Sequence, residues 1–473
     1  MAVDYDLVIA GGTVQGRRAA ALAAREGARV ALVEPPRRVE SGLAVSAGLE
    51  RLTSVTGRGD NAWAPGDPSA GQNWASLRQQ IQAATALAAA PLSLATLATL
   101  GVDALAVAGQ FGARPRLALT TADRSWWARR YLLCPPTHPT VPAIPGLAST
   151  PYSTLEDFPH WEALPDSAII LGRSPQAITL AQGLTGLGCA VTLLSRGDRL
   201  LPTEDGDISL FGEQLLRASG VAVRLGQRPT AVTYNGEFGV TLADGTTIHS
   251  QQIILGTAQQ PDVASLNLAA LGLRPGVAGL AVDDRLRTAH PHVLACGPAL
   301  GGYWAATTDY QDVPIAVRNA LYLPYRRLPS FYRPCVLPMV PALGRVGMTA
   351  HQAQGWFGSE ASVIQVYLGD TLTAHLAGDT TGLCRWVVHR DGRLLGVQIW
   401  GNCAPDLIQT VAGMMQNDRR IQHWERLSAL PHSHAELLEQ MVAAWQRQRW
   451  QPGTWRRDWA ENWFNWRRSR PSV

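Results

Sequence analysis

The 473-residue chain contains no lysine: each of its 41 basic residues is an arginine. Schiff-base chemistry, a Walker-type phosphate lysine and a lysine general base are thereby excluded. Cysteine is also sparse. The six, Cys134, Cys189, Cys296, Cys335, Cys384 and Cys403, lie far apart in sequence, so they form no local redox dithiol or zinc knuckle and read as scattered buried thiols. No uninterrupted apolar run reaches the roughly 18 residues that span a bilayer. The opening MAVDYDLVIAGG carries Asp4 and Asp6 where a signal peptide is basic, so the expectation is a cytoplasmic protein. Charged residues make up 16% against 46% hydrophobic, a balance that folds into a large core. At about 100 to 200 residues per domain, this length gives two to four domains. The net charge of +4 is local, because the last 33 residues hold seven arginines against Asp458 and Glu461 and leave the rest close to neutral. No nucleic-acid partner is expected of such a body.

Two segments carry dinucleotide-type punctuation. From Asp4 to Glu34 the pattern reads strand (Leu7 to Ala10), glycine-rich turn, helix (Ala19 to Arg25) and strand (Arg29 to Val33). The turn Gly11-Gly12-Thr13-Val14-Gln15-Gly16 matches GxGxxG at its first and third glycines, with Thr13 at the second, and Glu34 follows 18 residues after Gly16. In such units the helix N-terminus faces a pyrophosphate and the acid accepts ribose hydroxyls. A second unit begins near Ser167, with strand Ala168 to Leu171, turn Gly172-Arg173-Ser174-Pro175-Gln176-Ala177, helix Ile178 to Leu187 and strand Ala190 to Leu194. Ser195 stands where an NAD site places its acid, and Arg196 and Arg199 follow. That favours the 2′-phosphate of NADP ahead of NAD, the alternative being ordinary surface arginines.

Two such units resemble the plan of the pyridine nucleotide-disulfide oxidoreductase family, the group of dihydrolipoamide dehydrogenase, glutathione reductase and mercuric reductase. The resemblance runs to about Glu439. VPAIPGL at 141–147 is like the segment between the two nucleotide domains, and LRTAHPHVLACG at 286–297 is like the second FAD motif. PALGRVGMT at 341–349 and GRLLGVQIWGNCAPD at 392–406 are similar to the dimerisation domain. The resemblance implies an α/β fold: two Rossmann-like dinucleotide-binding domains plus an α+β C-terminal dimerisation domain. The expected division is an FAD-binding domain at 1–150 and 281–333, an NAD(P)-binding-like domain at 151–280, a dimerisation domain at 334–439 and an extension at 440–473. It also implies a homodimer and bound FAD, with Gly11, Gly12, Thr13, Gly16, Glu34 and Gly297 as FAD residues and Gly172, Ser174, Ala177 and Arg196 as nicotinamide-dinucleotide residues.

The departures from the family concern its chemistry. Aligned on Gly42 and Gly48, Ala44 and Leu49 occupy the two redox-cysteine positions. Thr53 and Thr179 replace both halves of a lysine–glutamate ion pair. Pro431 stands at the catalytic histidine while Glu436 remains, and His432 and His434 are displaced neighbours, each either an acid/base group or an ordinary loop residue. Disulfide reduction is excluded. Pro136 falls in a cofactor-facing linker, and Pro298 replaces the aspartate that takes the ribitol hydroxyl, a loss of about 1.5 to 3 kcal/mol that weakens FAD without abolishing it. Residues 57–75, with Trp63 and Trp74, read as a remodelled active-site loop.

Beyond the resemblance, Trp455, Trp459, Trp463 and Trp466 fall on one helical face, with Arg456, Arg457, Arg467 and Arg468 off it. Residues 445–470 therefore either pack back on the dimer, dock into a protein partner, or hold the protein peripheral to an anionic membrane. The function expected is an FAD-dependent NAD(P)H oxidoreductase without a dithiol relay, passing electrons to a small acceptor such as a quinone. The alternative is a catalytically inactive dimeric scaffold that acts through its Trp/Arg tail.

Overall fold

The computed structural model describes residues 3–35, 40–56, 69–113, 116–276, 279–303, 310–417, 420–426, 428–450 and 455–470. It divides into two compact units, 1–330 with 337–339, and 331–336 with 340–473.

The first unit holds two five-stranded parallel sheets. One runs β10 (Val293–Ala295), β4 (Ala128–Leu133), β1 (Tyr5–Ala10), β2 (Val30–Glu34), β3 (Asp103–Ala106). Its strands are near-continuous apolar runs because both faces are covered. Leu7, Ile9, Leu32 and Leu132 pack beneath helices α1 (Val14–Arg25) and α5 (Asp312–Leu321), while Val8, Ala31, Val33 and Leu133 meet Phe111, Leu119 and Trp126 on the other side. Ala19, Ala20 and Ala23 give α1 a small-residue face that rests close on the sheet. The other sheet runs β8 (Ala222–Arg224), β7 (Ala190–Leu194), β6 (Ser167–Leu171), β9 (Gln252–Leu255), β5 (Ser153–Thr154), with α4 (Pro175–Gly186) following β6. Each helix begins earlier than its apolar period implies, since Thr13 and Ser174 cap it on the first residue after the glycine turn.

Helix α2 (Glu40–Thr56) lies against α3 (Ser69–Ala89) and α4. The expected loop at 57–75 lies outside the described residues over 57–68, and over 69–75 it is corrected to the first turns of α3. There burial decides the conformation: Trp74 is fully enclosed and its indole Nε1 donates to the Trp161 carbonyl at 3.1 Å. Among the described residues one stretch, Trp74–Thr99, is long and apolar enough by composition to cross a membrane. Trp74, Leu77 and Ile81 are buried along one face of it while most of the stretch is exposed, and it is not one helix, because α3 ends at Ala89, before Pro91.

The second unit is built on a five-stranded sheet, β11 (Cys335–Leu337), β12 (Leu343–Gly347), β15 (Leu394–Trp400), β14 (Leu383–His389), β13 (Ala361–Tyr367), antiparallel from β12 through β13. Its core includes Val346, Cys384, Trp386, Val397, Ile399, and residues of α7 (Ala404–Gln416) and α8 (Glu436–Arg449). Trp386 and Trp424 meet edge to face at 5.2 Å between ring centroids, both fully buried. Trp386→Ala is expected to lower unfolding stability by about 3 to 5 kcal/mol, read from the denaturant midpoint, because the lost indole leaves a cavity that a paired ring cannot fill.

Candidate functional site

Both dinucleotide turns are set by the same backbone device. Gly11 has φ +119° and Gly172 φ +122°. A Cβ at Gly11 would lie 2.1 Å from the Cys134 carbonyl oxygen, and one at Gly172 would lie 2.3 Å from that of Gly256. Only glycine fits where the chain turns against the neighbouring strand. Each helix therefore starts at the carboxyl edge of its sheet, where ligands bind in such folds.

The two helix N-termini differ in the donors they leave open. Thr13 Oγ1 accepts from the Gly16 amide at 3.2 Å and donates to the Cys134 carbonyl at 3.2 Å. The amides of Val14 and Gln15 remain at the N-terminus of α1. Ser174 Oγ likewise accepts from the Ala177 amide at 3.3 Å, but Pro175 has no N–H, so only the Gln176 amide remains. The first turn is thus the stronger anion site.

Glu34 is held from an unexpected side. Arg17 Nη2 lies 2.5 Å from Oε1 and Nε 3.1 Å from Oε2, and Arg17 also donates to the Leu92 carbonyl at 3.1 Å. The side chains are 2% and 12% exposed. The sequence reading missed Arg17, whose only signal was its place directly after the third glycine of the turn.

A single cleft of about 1010 Å³ within the first unit is lined by both turns, at the upper end of small-molecule and cofactor sites. Of the expected cofactor residues, Gly12, Thr13, Gly172, Ser174 and Arg196 line it, whereas Gly11, Gly16, Glu34 and Ala177 are buried behind it and the half-buried Gly297 does not line it. The Gly297 amide donates inward to Asp312 Oδ2 at 2.6 Å. Tyr303, Tyr310, Gln259 and Gln260 also line the cleft, and no motif marked them. Tyr303 donates to the Arg173 carbonyl at 2.8 Å, and burial pushes its phenol well above the ordinary value. Arg173 donates to the Arg199 carbonyl and lies over Gly197, while Ser195 Oγ accepts from the Gly197 amide at 3.2 Å and ties down the loop bearing Arg196.

Helix α2 turns Ser41, Gly42, Leu43, Val45 and Ser46 to the cleft, while Ala44 and Leu49 are buried away from it. Thr53 donates to the Glu50 carbonyl at 2.8 Å and Thr179 to the Pro175 carbonyl at 3.1 Å, so each hydroxyl is satisfied within its own helix.

FAD fits the first half of this cleft by size and by the open amides at the α1 N-terminus. It fits less well at Glu34, which Arg17 occupies, and at Pro136 and Pro298, which line the cleft without an N–H.

In the second unit, His432 is exposed at φ +63° and His434 is half-buried. Glu436 accepts from the Leu372 and Thr373 amides at 3.0 Å each and from Thr373 Oγ1 at 2.8 Å, capping helix α6 (Leu372–Ala377). The Thr373 amide, foremost among these donors, holds the carboxyl below the usual range.

Two parallel-sheet nucleotide folds sharing one cleft define a two-dinucleotide oxidoreductase architecture. The chain belongs to the pyridine nucleotide-disulphide oxidoreductase family, whose model matches residues 5–320, and the family's dimerisation domain matches 334–443. It is 26% identical over 420 residues to the mercuric reductase of Staphylococcus aureus, covering 86% of this chain and 76% of that protein. It is 26% identical over 482 residues to the dihydrolipoyl dehydrogenase of Synechocystis, covering 94% and 98%. The match to the mercuric reductase of Acidithiobacillus ferrooxidans, 29% over 300 residues, covers 62% of this chain and about half, 53%, of that protein. Among solved structures, the flavoprotein disulfide reductase RclA of Escherichia coli has a TM-score of 0.78 at 21% identity, covering 93% of this chain and 99% of that one.

Two outcomes follow from these contacts. Arg17→Ala is expected to cost about 3 to 5 kcal/mol in denaturant unfolding by leaving a buried carboxylate unpaired, and replacing both Arg17 and Glu34 by apolar residues to cost far less. For Glu436 the folded pKa is depressed, so its stabilisation is fully present above the ordinary carboxylate value near 4.3 and is lost as pH falls through the folded value. Glu436→Gln is therefore expected to destabilise by about 1 kcal/mol near neutrality, with wild type and variant converging in acid.

Proposed function

We propose that this chain is an FAD-dependent NAD(P)H oxidoreductase without a dithiol relay, passing electrons to a small diffusible acceptor, with a quinone as the favoured class. The observation that carries this reading is the one cleft lined by both dinucleotide turns, with Leu43 and Val45 from α2 facing it. In it the Val14 and Gln15 amides and the α1 dipole hold a pyrophosphate. Arg196, with Arg173 beside it, receives a 2′-phosphate, which puts NADP ahead of NAD. Leu43, Val45, Pro142, Ile144 and Leu155 exclude water and offer a flat apolar acceptor a wall. When bound, FAD supplies hydride acceptance and onward electron transfer. The protein acts as a homodimer through its dimerisation domain. His432, His434 and Glu436 stay candidates for proton delivery, Glu436 being the weakest because its oxygens already accept from α6.

A dimeric scaffold is the second reading, favoured by the Arg17 pair on Glu34 and by the prolines at 135, 136 and 298. Flavin released by heat from purified protein, counted per chain, is expected at about one equivalent, with bleaching by NADPH and reoxidation by quinones. Arg196→Ala is expected to raise KM for NADPH about ten- to a hundredfold and leave that for NADH unchanged. A colourless protein that takes up no added FAD would overturn the oxidoreductase reading and leave the scaffold.

A further inference from the structure

We infer that helix α9 (Trp455–Arg468) is a peripheral membrane anchor that lays its tryptophan stripe into the headgroup region of an anionic bilayer. The stripe is uncovered: Trp459, Trp463 and Trp466 are 61%, 42% and 45% exposed, and Phe464 is 50% exposed. The rings form one continuous column, with centroids 5.9 Å apart between Trp459 and Trp463 and 5.0 Å between Trp463 and Trp466. Only Ala460 among the described residues of α9 is buried. Contiguous exposed aromatics on this scale mark an interaction surface.

Composition and charge choose the occupant. Apart from the aromatics, WRRDWAENWFNWRR contains no apolar residue but Ala460, so it lacks the aliphatic anchors that a helix buries in a dry protein groove. Tryptophan suits a wet interface, where the ring is half-buried and its N–H finds lipid or water. Arg467, Arg468 and Arg470 lie exposed at the end of the stripe, and the Arg470 guanidinium sits 3.9 Å above the Trp466 ring. Cations are thereby held at ring depth, where phosphates of anionic lipids lie. Asp458 and Glu461 are the only acids against seven arginines in residues 441–473, and Glu461 is paired with Arg457 at 2.8 Å. Fourteen residues rise about 21 Å, too short to cross a hydrocarbon core of about 30 Å, so the helix lies in the plane of the interface.

Flotation of the full chain with phosphatidylcholine vesicles, with and without phosphatidylglycerol, tests this independently of flavin content. Wild type is expected to float with the anionic vesicles alone and to be released by salt. Replacing Arg467, Arg468 and Arg470 by Gln is expected to weaken partitioning roughly a hundredfold. The combined Trp459→Ala, Trp463→Ala and Trp466→Ala variant should lose binding while keeping the wild-type melting temperature and oligomeric state. The proposal is overturned if wild type stays unbound at low ionic strength or binds both vesicle types equally. It also fails if the tryptophan variant changes oligomeric state, which would mean that a second copy covers the stripe.

Discussion

The contact on which the first unit depends is the approach of a turn backbone to a neighbouring strand's carbonyl. At Gly11 that carbonyl belongs to Cys134, and at Gly172 to Gly256. Each glycine is held near φ +120°, so each chain leaves its sheet at the carboxyl edge and enters a helix at once. Any side chain there would push the helix off its strand. The helix N-termini, the cleft between them and its opening follow from these two positions.

What the helix termini can then do is a matter of counting amides. A helix leaves its first N–H groups without internal partners, and those groups attract anions. Thr13 and Ser174 each take one such group for a side-chain cap. Pro175 removes another from the second turn by chemistry, while α1 begins with Val14 and keeps its own. The second turn therefore leaves fewer backbone donors open, and Arg173 and Arg196 line the cleft beside it.

Period and punctuation made the parallel sheets legible: the runs at Leu7 to Ala10 and Ala168 to Leu171, followed by glycine turns, read correctly as strands entering helices. The Trp455 to Trp466 spacing likewise marked a helix, which α9 is. Hidden from the sequence were pairings set by long-range contact. Nothing local says that Arg17 reaches Glu34 and Leu92, or that Tyr303 reaches Arg173, because these partners lie 17, 75 and 130 positions away. The polar composition of 57–75 masked the start of α3 for the same reason: Trp74 is ordered by the Trp161 carbonyl, far along the chain. Motif reading finds turns that tolerate one residue type. It does not find side chains that meet by tertiary packing.

The position of α2 is set by shape. Thr53 of α2 and Thr179 of α4 carry no charge and each donates within its own helix, so no ion pair between these two positions α2. Packing does so instead: a Cβ on Gly183 of α4 would come within 2.6 Å of the Leu52 Cβ, and one on Gly48 within 2.5 Å of the Phe158 ring. Such close approaches specify the position of a helix as firmly as a salt bridge, because they admit few alternative registers. The helix thus presents one face to the cleft, with Ser41, Gly42, Leu43, Val45 and Ser46. A wall of that kind can shape a space and exclude water from it, but it offers no thiol to carry electrons.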